Sequence, residues 1–229
     1  MPMHIGIVAC SAEGAALCYR TICDEAPALM GRHRHPEVSM HTNCLADYMD
    51  CIYAGDWRGV ANLMLSSANK LKACGADFLI CPDNTIHHAF DLVALNSPLP
   101  WLHIVEEVAK VANQRGFRKL GITGTKYTME GTVYPQKLTA AGIEYVVPNV
   151  EERARIDQII FDELVNGIFT DASRSYLREV IGRMSNQGCD AVVLGCTEIP
   201  LIVDDSSSPL STLDSTRILA RAAIRRALE

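Results

Sequence analysis

Asp83 and Cys196 stand at matching points of an internal repeat, and both side chains can take up or release a proton. The first copy runs Gly75-Ala76-Asp77-Phe78-Leu79-Ile80-Cys81-Pro82-Asp83-Asn84-Thr85. The second runs Gly188-Cys189-Asp190-Ala191-Val192-Val193-Leu194-Gly195-Cys196-Thr197-Glu198. In each, a Gly-x-Asp turn leads into a short apolar strand that delivers the reactive side chain. A carboxylate and a thiol presented this way suit general acid–base chemistry. Cys196 precedes a helix-like turn, whose backbone N–H groups are expected to favour the thiolate and lower the thiol pKa below about 8.5. Asp83 is also well placed to cap a following helix, a role compatible with a catalytic one.

Small donors surround both positions. Ser11, Asn84, Thr85, Thr125, Thr128 and Thr197 fall beside predicted helix starts. Together they suit one substrate carboxylate, which binds where free N–H groups converge. His87 and His88 follow Asp83 within one turn, so at most one of them faces the site. His87 is the candidate for orienting or relaying a proton. Glu198 is placed to position the thiol or a substrate amine, or simply to cap a turn.

These residues need strand ends to hold them. A second repeated pair, Ile5-Gly6-Ile7-Val8-Ala9 leading to Ser11 and Leu120-Gly121-Ile122-Thr123-Gly124 leading to Thr128, supplies two more. Short aliphatic runs at 5–9, 38–41, 78–81, 101–103, 119–123, 145–147 and 191–194 predict strands. Segments of helical periodicity lie between them, at 12–26, 57–73, 104–115, 152–165, 172–186 and 215–228. Pro27 stops the first of these helices; Asp171 and Ser173 are candidate caps of the 172–186 helix, and Gly188 ends it. Strand alternating with helix predicts an α/β fold of parallel sheets flanked by helices. The repeat predicts two pseudo-symmetric lobes facing one cleft, residues 1–97 with 209–229 and residues 98–208. The last strand and helix are expected to return to the first lobe. Sites in such sheets lie beyond the carboxyl ends of the strands.

The composition narrows the class. Hydrophobic residues make up 48% and charged residues 21% of 229, which fits a soluble globular chain. A net charge of −6, with Arg32-His33-Arg34-His35 as the one local basic cluster, speaks against nucleic acid as a partner. No signal peptide and no membrane span are visible, so a cytoplasmic location is expected. Nine cysteines, an odd number, do not read as a disulfide framework. Cys74, Cys81, His87 and His88 match no tight zinc-ligand spacing, so no metal is expected.

The chain resembles the aspartate/glutamate racemase family over essentially its whole length. The resemblance is carried by Gly195-Cys196-Thr197-Glu198-Ile199-Pro200, by Gly124-Thr125-Lys126-Tyr127-Thr128-Met129-Glu130 and by Leu213-Asp214-Ser215-Thr216. The stretch Gln158-Ile159-Ile160-Phe161-Asp162-Glu163-Leu164 is similar to bacterial L-aspartate/glutamate-specific racemases. The resemblance implies a cofactor-independent amino-acid racemase or epimerase acting on a small acidic amino acid or related carboxylate. It also implies a homodimer, with two acid/base residues, one per lobe, that move the Cα proton from opposite faces.

In the common family pattern both residues are thiols, and here the first is Asp83. Reference pKa values of Asp and Cys differ by about 4.6 units, so Asp83 starts roughly 6 kcal/mol behind a thiolate as a base. Ala9-Cys10-Ser11 replaces a Gly-Gly pair of the family, and Tyr48 stands where some aspartate racemases place an arginine. The first position therefore also admits a single-thiol decarboxylase or cis–trans isomerase of the same superfamily, or a metabolite-binding homologue without catalysis.

Overall fold

The computed structural model describes residues 1–229. They divide into two units, residues 1–104 with 216–229, and residues 105–215. The first unit holds β1 (Ile5–Ala9), β2 (Val38–Thr42), β3 (Phe78–Ile80) and β4 (Trp101–Leu102). The second holds β5 (Lys119–Gly124), β6 (Glu144–Val146), β7 (Ala191–Gly195) and β8 (Ser211–Asp214). All pairings are parallel, in the orders β2-β1-β3-β4 and β6-β5-β7-β8. The two sheets thus share one topology, and β1 with β3 correspond to β5 with β7, the strands that carry the sequence repeat.

The inner strands are apolar because helices cover both of their faces. Every residue of β1, β3 and β7 is buried, whereas the edge strand β2 leaves Met40 half exposed. The helix Trp57–Ala73 turns Val60, Ala61, Met64, Ala68 and Leu71 inward at helical spacing. A methyl on Gly6 of β1 would fall 2.6 Å from Leu79 and 3.4 Å from Leu71. In the second unit a methyl on Gly121 would meet Met184 of the helix Asp171–Asn186 at 2.5 Å. The repeated strand glycine is therefore a packing requirement that lets helix and sheet approach closely.

The Gly-x-Asp turns are structural too. Gly75 and Gly188 take left-handed φ values of 90° and 82° after the helices Trp57–Ala73 and Asp171–Asn186. The aspartate then splices the turn to the neighbouring strand: Asp77 accepts from the His4 N–H at 2.7 Å, and Asp190 from those of Arg118 and Lys119 at 2.7 and 3.0 Å. These three bonds are backbone to carboxylate. For Asp190 the Arg118 and Lys119 amides hold its pKa below the usual carboxylate value.

Several expectations need correction. β4 pairs with β3, so the first sheet extends past residue 97. β8 pairs with β7 in the second sheet, and it is the helix Ser215–Ala227 alone whose body belongs to the first unit. Each sheet covers the open edge of its third strand with a fourth, which neither composition nor the repeat made visible. The helix expected over 152–165 is α-helical from Val150 to Gln158, then π-helical over Ile159–Glu163, and closes at Gly167 with φ 72°. Thr170, rather than Asp171 or Ser173, caps the next helix, its Oγ1 accepting from the Ser173 N–H at 3.1 Å. Helices Leu45–Tyr53 and Val133–Ala140 were not anticipated.

Candidate active site

In the first unit the chain leaves β1 toward β2 and leaves β3 toward β4, so a crevice opens beyond the adjoining ends of β1 and β3. Ser11 follows one of these strands and Asp83 the other. Ser11 caps the helix Ala12–Glu25 by accepting from the Gly14 N–H at 3.3 Å. Asp83 Oδ1 accepts from the Ile86 N–H at 3.1 Å, so the carboxylate is oriented as a cap over the 3-10 turn Thr85–Ala89. It stays partly exposed, while Asn84 is buried and Thr85 half-buried.

His87 is 2% exposed and donates from Nδ1 to the Asp83 carbonyl oxygen at 2.6 Å. Its ring stacks on Phe90 (centroids 5.4 Å apart) and meets the edge of His103 (4.7 Å). This packing makes it a brace for the Asp83 backbone. His88 stacks against Trp57 at 4.6 Å.

Behind Asp83 lies a pair of groups that the sequence analysis did not assign to the site. Tyr48 is fully buried in the helix Leu45–Tyr53, and its Oη has no hydrogen bond of ordinary geometry, although Asn43 is close by. Burial first, and then the neighbouring Cys81, Cys10 and Asp83, raise its pKa well above the tyrosine norm. Cys81, 0% exposed, is likewise pushed up by burial and by Asp83, so its sulfur stays a thiol. Tyr48 was legible only as the residue at one family position, because its helix was missed.

The second unit repeats the arrangement with different chemistry. Thr123 Oγ1 donates to the Val193 carbonyl at 2.7 Å and ties β5 to β7. Gly124 pairs with Gly195 at the ends of these strands. A methyl on Gly195 would lie 2.6 Å from the Thr123 carbonyl oxygen, so the residue before Cys196 must be glycine for the two strand ends to meet. Thr125 caps the short helix Lys126–Glu130, accepting from the Thr128 N–H at 3.4 Å, and the two hydroxyls lie 3.3 Å apart. Ser215 Oγ donates to the Leu194 carbonyl at 3.0 Å and bonds the phenol of Tyr134, a buried residue missed with its helix. Burial raises the Tyr134 pKa.

Cys196 is half-buried at the end of β7, and its thiol donates to Glu198 Oε2 at 2.9 Å. Thr197 Oγ1 donates to the same oxygen at 2.7 Å. Glu198 is 5% exposed, and a carboxylate so enclosed needs such donors to be tolerated. The helix expected after Cys196 is a three-residue 3-10 turn, Ile199–Leu201. It is too short to supply the helix field invoked for the thiol. The group that the thiol meets there is instead the Glu198 side chain. Cys196, Thr197, Glu198, Thr125 and Thr128 therefore share the β5/β7 strand ends, as Ser11, Asp83, Asn84, Thr85 and His87 share those of β1 and β3.

No group of three or more His, Cys, Asp or Glu side chains is arranged to hold a metal ion, and no helix is long and apolar enough to cross a membrane. Cys74, one of the zinc candidates, is exposed at a helix end.

Residues 5–223 match the model of the Asp/Glu/hydantoin racemase family. A broad-specificity amino-acid racemase of Bacillus subtilis (strain 168) is 27% identical over 162 residues, 70% of this chain and 69% of the relative. The crystal structure of a candidate Asp/Glu racemase from Yersinia pestis superposes with a TM-score of 0.92 at 32% identity, covering 99% of this chain and 100% of the other. An aspartate racemase homologue from Pyrococcus horikoshii OT3 superposes with a TM-score of 0.87 at 28% identity, over 100% of both chains.

Proposed function

The chain belongs to the Asp/Glu/hydantoin racemase family, and from that premise we propose that it interconverts the enantiomers of an amino acid by moving the Cα proton. Cys196 serves one face of the Cα carbon and Asp83 the other. The observation that carries this reading is the Cys196–Glu198 hydrogen bond, because it leaves a proton on sulfur at a strand end, ready to be delivered to a carbanion. When the substrate presents its opposite face, Cys196 has to act as base, which requires the thiol first to give up the proton that it directs at Glu198 Oε2.

Asp83 is the complementary partner. As a carboxylate it needs no deprotonation to act as base, at the cost of its low basicity. The resting pair is thus a carboxylate in the first unit and a thiol in the second. Ser11, Asn84, Thr85, Thr125, Thr128 and Thr197 are the donors proposed for the substrate's α-carboxylate, and no cofactor is required. A homodimer in the cytoplasm belongs to the same proposal.

The Bacillus subtilis relative is an amino-acid racemase, which favours this reading over the decarboxylase, cis–trans isomerase and non-catalytic alternatives. A substrate range wider than aspartate and glutamate is part of the proposal, since Tyr48, whose electrostatic neighbours Cys81, Cys10 and Asp83 are neutral or acidic, offers no cation for a second carboxylate. The test is a panel of single-enantiomer amino acids incubated with the protein, with optical rotation followed over time. Racemisation of at least one, abolished in Cys196→Ala, is expected. No turnover across the panel would remove the proposal.

A further inference from the structure

The second unit carries a pocket that the proton-transfer chemistry does not use. Its volume is about 200 Å³, and it lies between the helix Asp171–Asn186 and the segment that continues from the Cys196–Glu198 turn. Arg174 and Arg178, one helical turn apart, line one side, and Leu201, Asp204, Ser206 and Ser207 line the other. Arg178 is exposed and carries no ion pair. Arg174 reaches the Ile202 carbonyl at 3.4 Å and stands 3.9 Å from Asp171, whose side chain is fully exposed. Such a long surface pair contributes little and competes weakly for the guanidinium.

Asp204 is the one acidic group in the lining, and it is already committed. Its Oδ1 accepts from the backbone of Ser206 and Ser207 and from both of their hydroxyls, at 2.8–3.1 Å. The lining therefore keeps one net positive charge, with two guanidinium forks on one face. Forked guanidinium groups match the oxygens of carboxylate and phosphate. The volume lies below the roughly 300–1,000 Å³ of sites for drug-sized ligands, so a nucleotide is too large.

We propose that this pocket is a binding site for a small oxyanion, a phosphate group or a carboxylate, held by Arg174 and Arg178. The ligand sits against the 199–207 segment and restrains it.

The experiment is a calorimetric titration of the full chain with inorganic phosphate, and separately with acetate, at constant ionic strength set by chloride. Binding is read directly and does not depend on turnover. One saturable site for at least one of the two anions is expected, weakened about tenfold or more in Arg178→Ala and partly retained in Arg178→Lys. The anion that saturates identifies the head group. Hydrogen exchange in the 199–207 segment should slow when that anion is added to the native protein and stay unchanged in Arg178→Ala. Arg178 is exposed, so the substitution leaves the fold intact, which circular dichroism checks. The proposal is overturned if neither anion saturates, if Arg174→Ala and Arg178→Ala both bind as the native protein does, or if exchange in 199–207 does not respond.

Discussion

The Cys196 thiol donates a hydrogen bond to Glu198 Oε2 across 2.9 Å, in a turn where Glu198 is almost entirely enclosed. The same carboxylate oxygen takes a second hydrogen bond from Thr197, so the acceptor is fixed in place before any substrate arrives. The sulfur's hydrogen-bond partner is thus its neighbour two residues on.

Replacing Glu198 by Gln keeps the shape and removes the charge. A hydrogen bond to a charged group contributes about 1.5–3 kcal/mol, so its loss should free the thiol proton and speed alkylation of Cys196 at neutral pH by about tenfold. Mass spectrometry after iodoacetamide reads this, with the exposed Cys44 and Cys74 as internal references. Alkylation of Cys196 at an unchanged or lower rate contradicts the role given to Glu198.

Gly195→Ala places a methyl 2.6 Å from a backbone carbonyl oxygen, whereas Gly121→Ala places one 2.5 Å from Met184 Sδ, a side chain that has more freedom to shift than a strand backbone. Overpacking of this kind costs about 1–3 kcal/mol, or about 2–4 °C of melting temperature per kcal/mol in a chain of this length. Gly195→Ala should be the more destabilised of the two and should lose activity as well, because the strand end that presents Cys196 has to move. Equal melting temperatures for the two variants would count against the close approach of β5 and β7.

Tyr48 and Tyr134 should make stability fall at alkaline pH. Both phenols have folded-state pKa values raised by burial, so above the unfolded value of about 10 the unfolded chain releases protons that the folded chain retains. Their stability contribution is complete below pH 10 and is lost as pH rises beyond it. Tyr48→Phe removes a buried hydroxyl that has no hydrogen bond of ordinary geometry, so it should melt at or above the native temperature near pH 7. It should also fall less steeply above pH 10. Thermal melts from pH 7 to 11 provide the comparison; a clear loss of stability at neutral pH would mean that the hydroxyl has a structural partner.

The strands were legible because each buried run is short, aliphatic and followed by a helical period, and the repeat matched β1 to β5 and β3 to β7 correctly. β8 was assigned to the wrong sheet because Ser211–Asp214 is polar and partly exposed, so nothing in its residues says which neighbour it pairs with. The helices Leu45–Tyr53 and Val133–Ala140 were missed, and Tyr48 and Tyr134 went unassigned with them. The turn after Cys196 was misread for a related reason: Thr197-Glu198-Ile199-Pro200 looks like a helix start, but the chain makes only one 3-10 turn there. Hydrogen bonds between near neighbours, such as Cys196 to Glu198, depend on backbone angles that residue types do not specify.

Solvent exchange at Cα, measured with the variants Cys196→Ala and Asp83→Asn, tests the two-residue mechanism most directly. In D₂O a racemase that has lost one of its two acid/base groups can still exchange the enantiomer served by the other. Proton NMR on a substrate found in the enantiomer panel should show Cys196→Ala exchanging one enantiomer and Asp83→Asn exchanging the opposite one, with inversion abolished or severely slowed in both. If the two variants exchange the same enantiomer, or if Asp83→Asn racemises at the native rate, Asp83 is not the partner of Cys196.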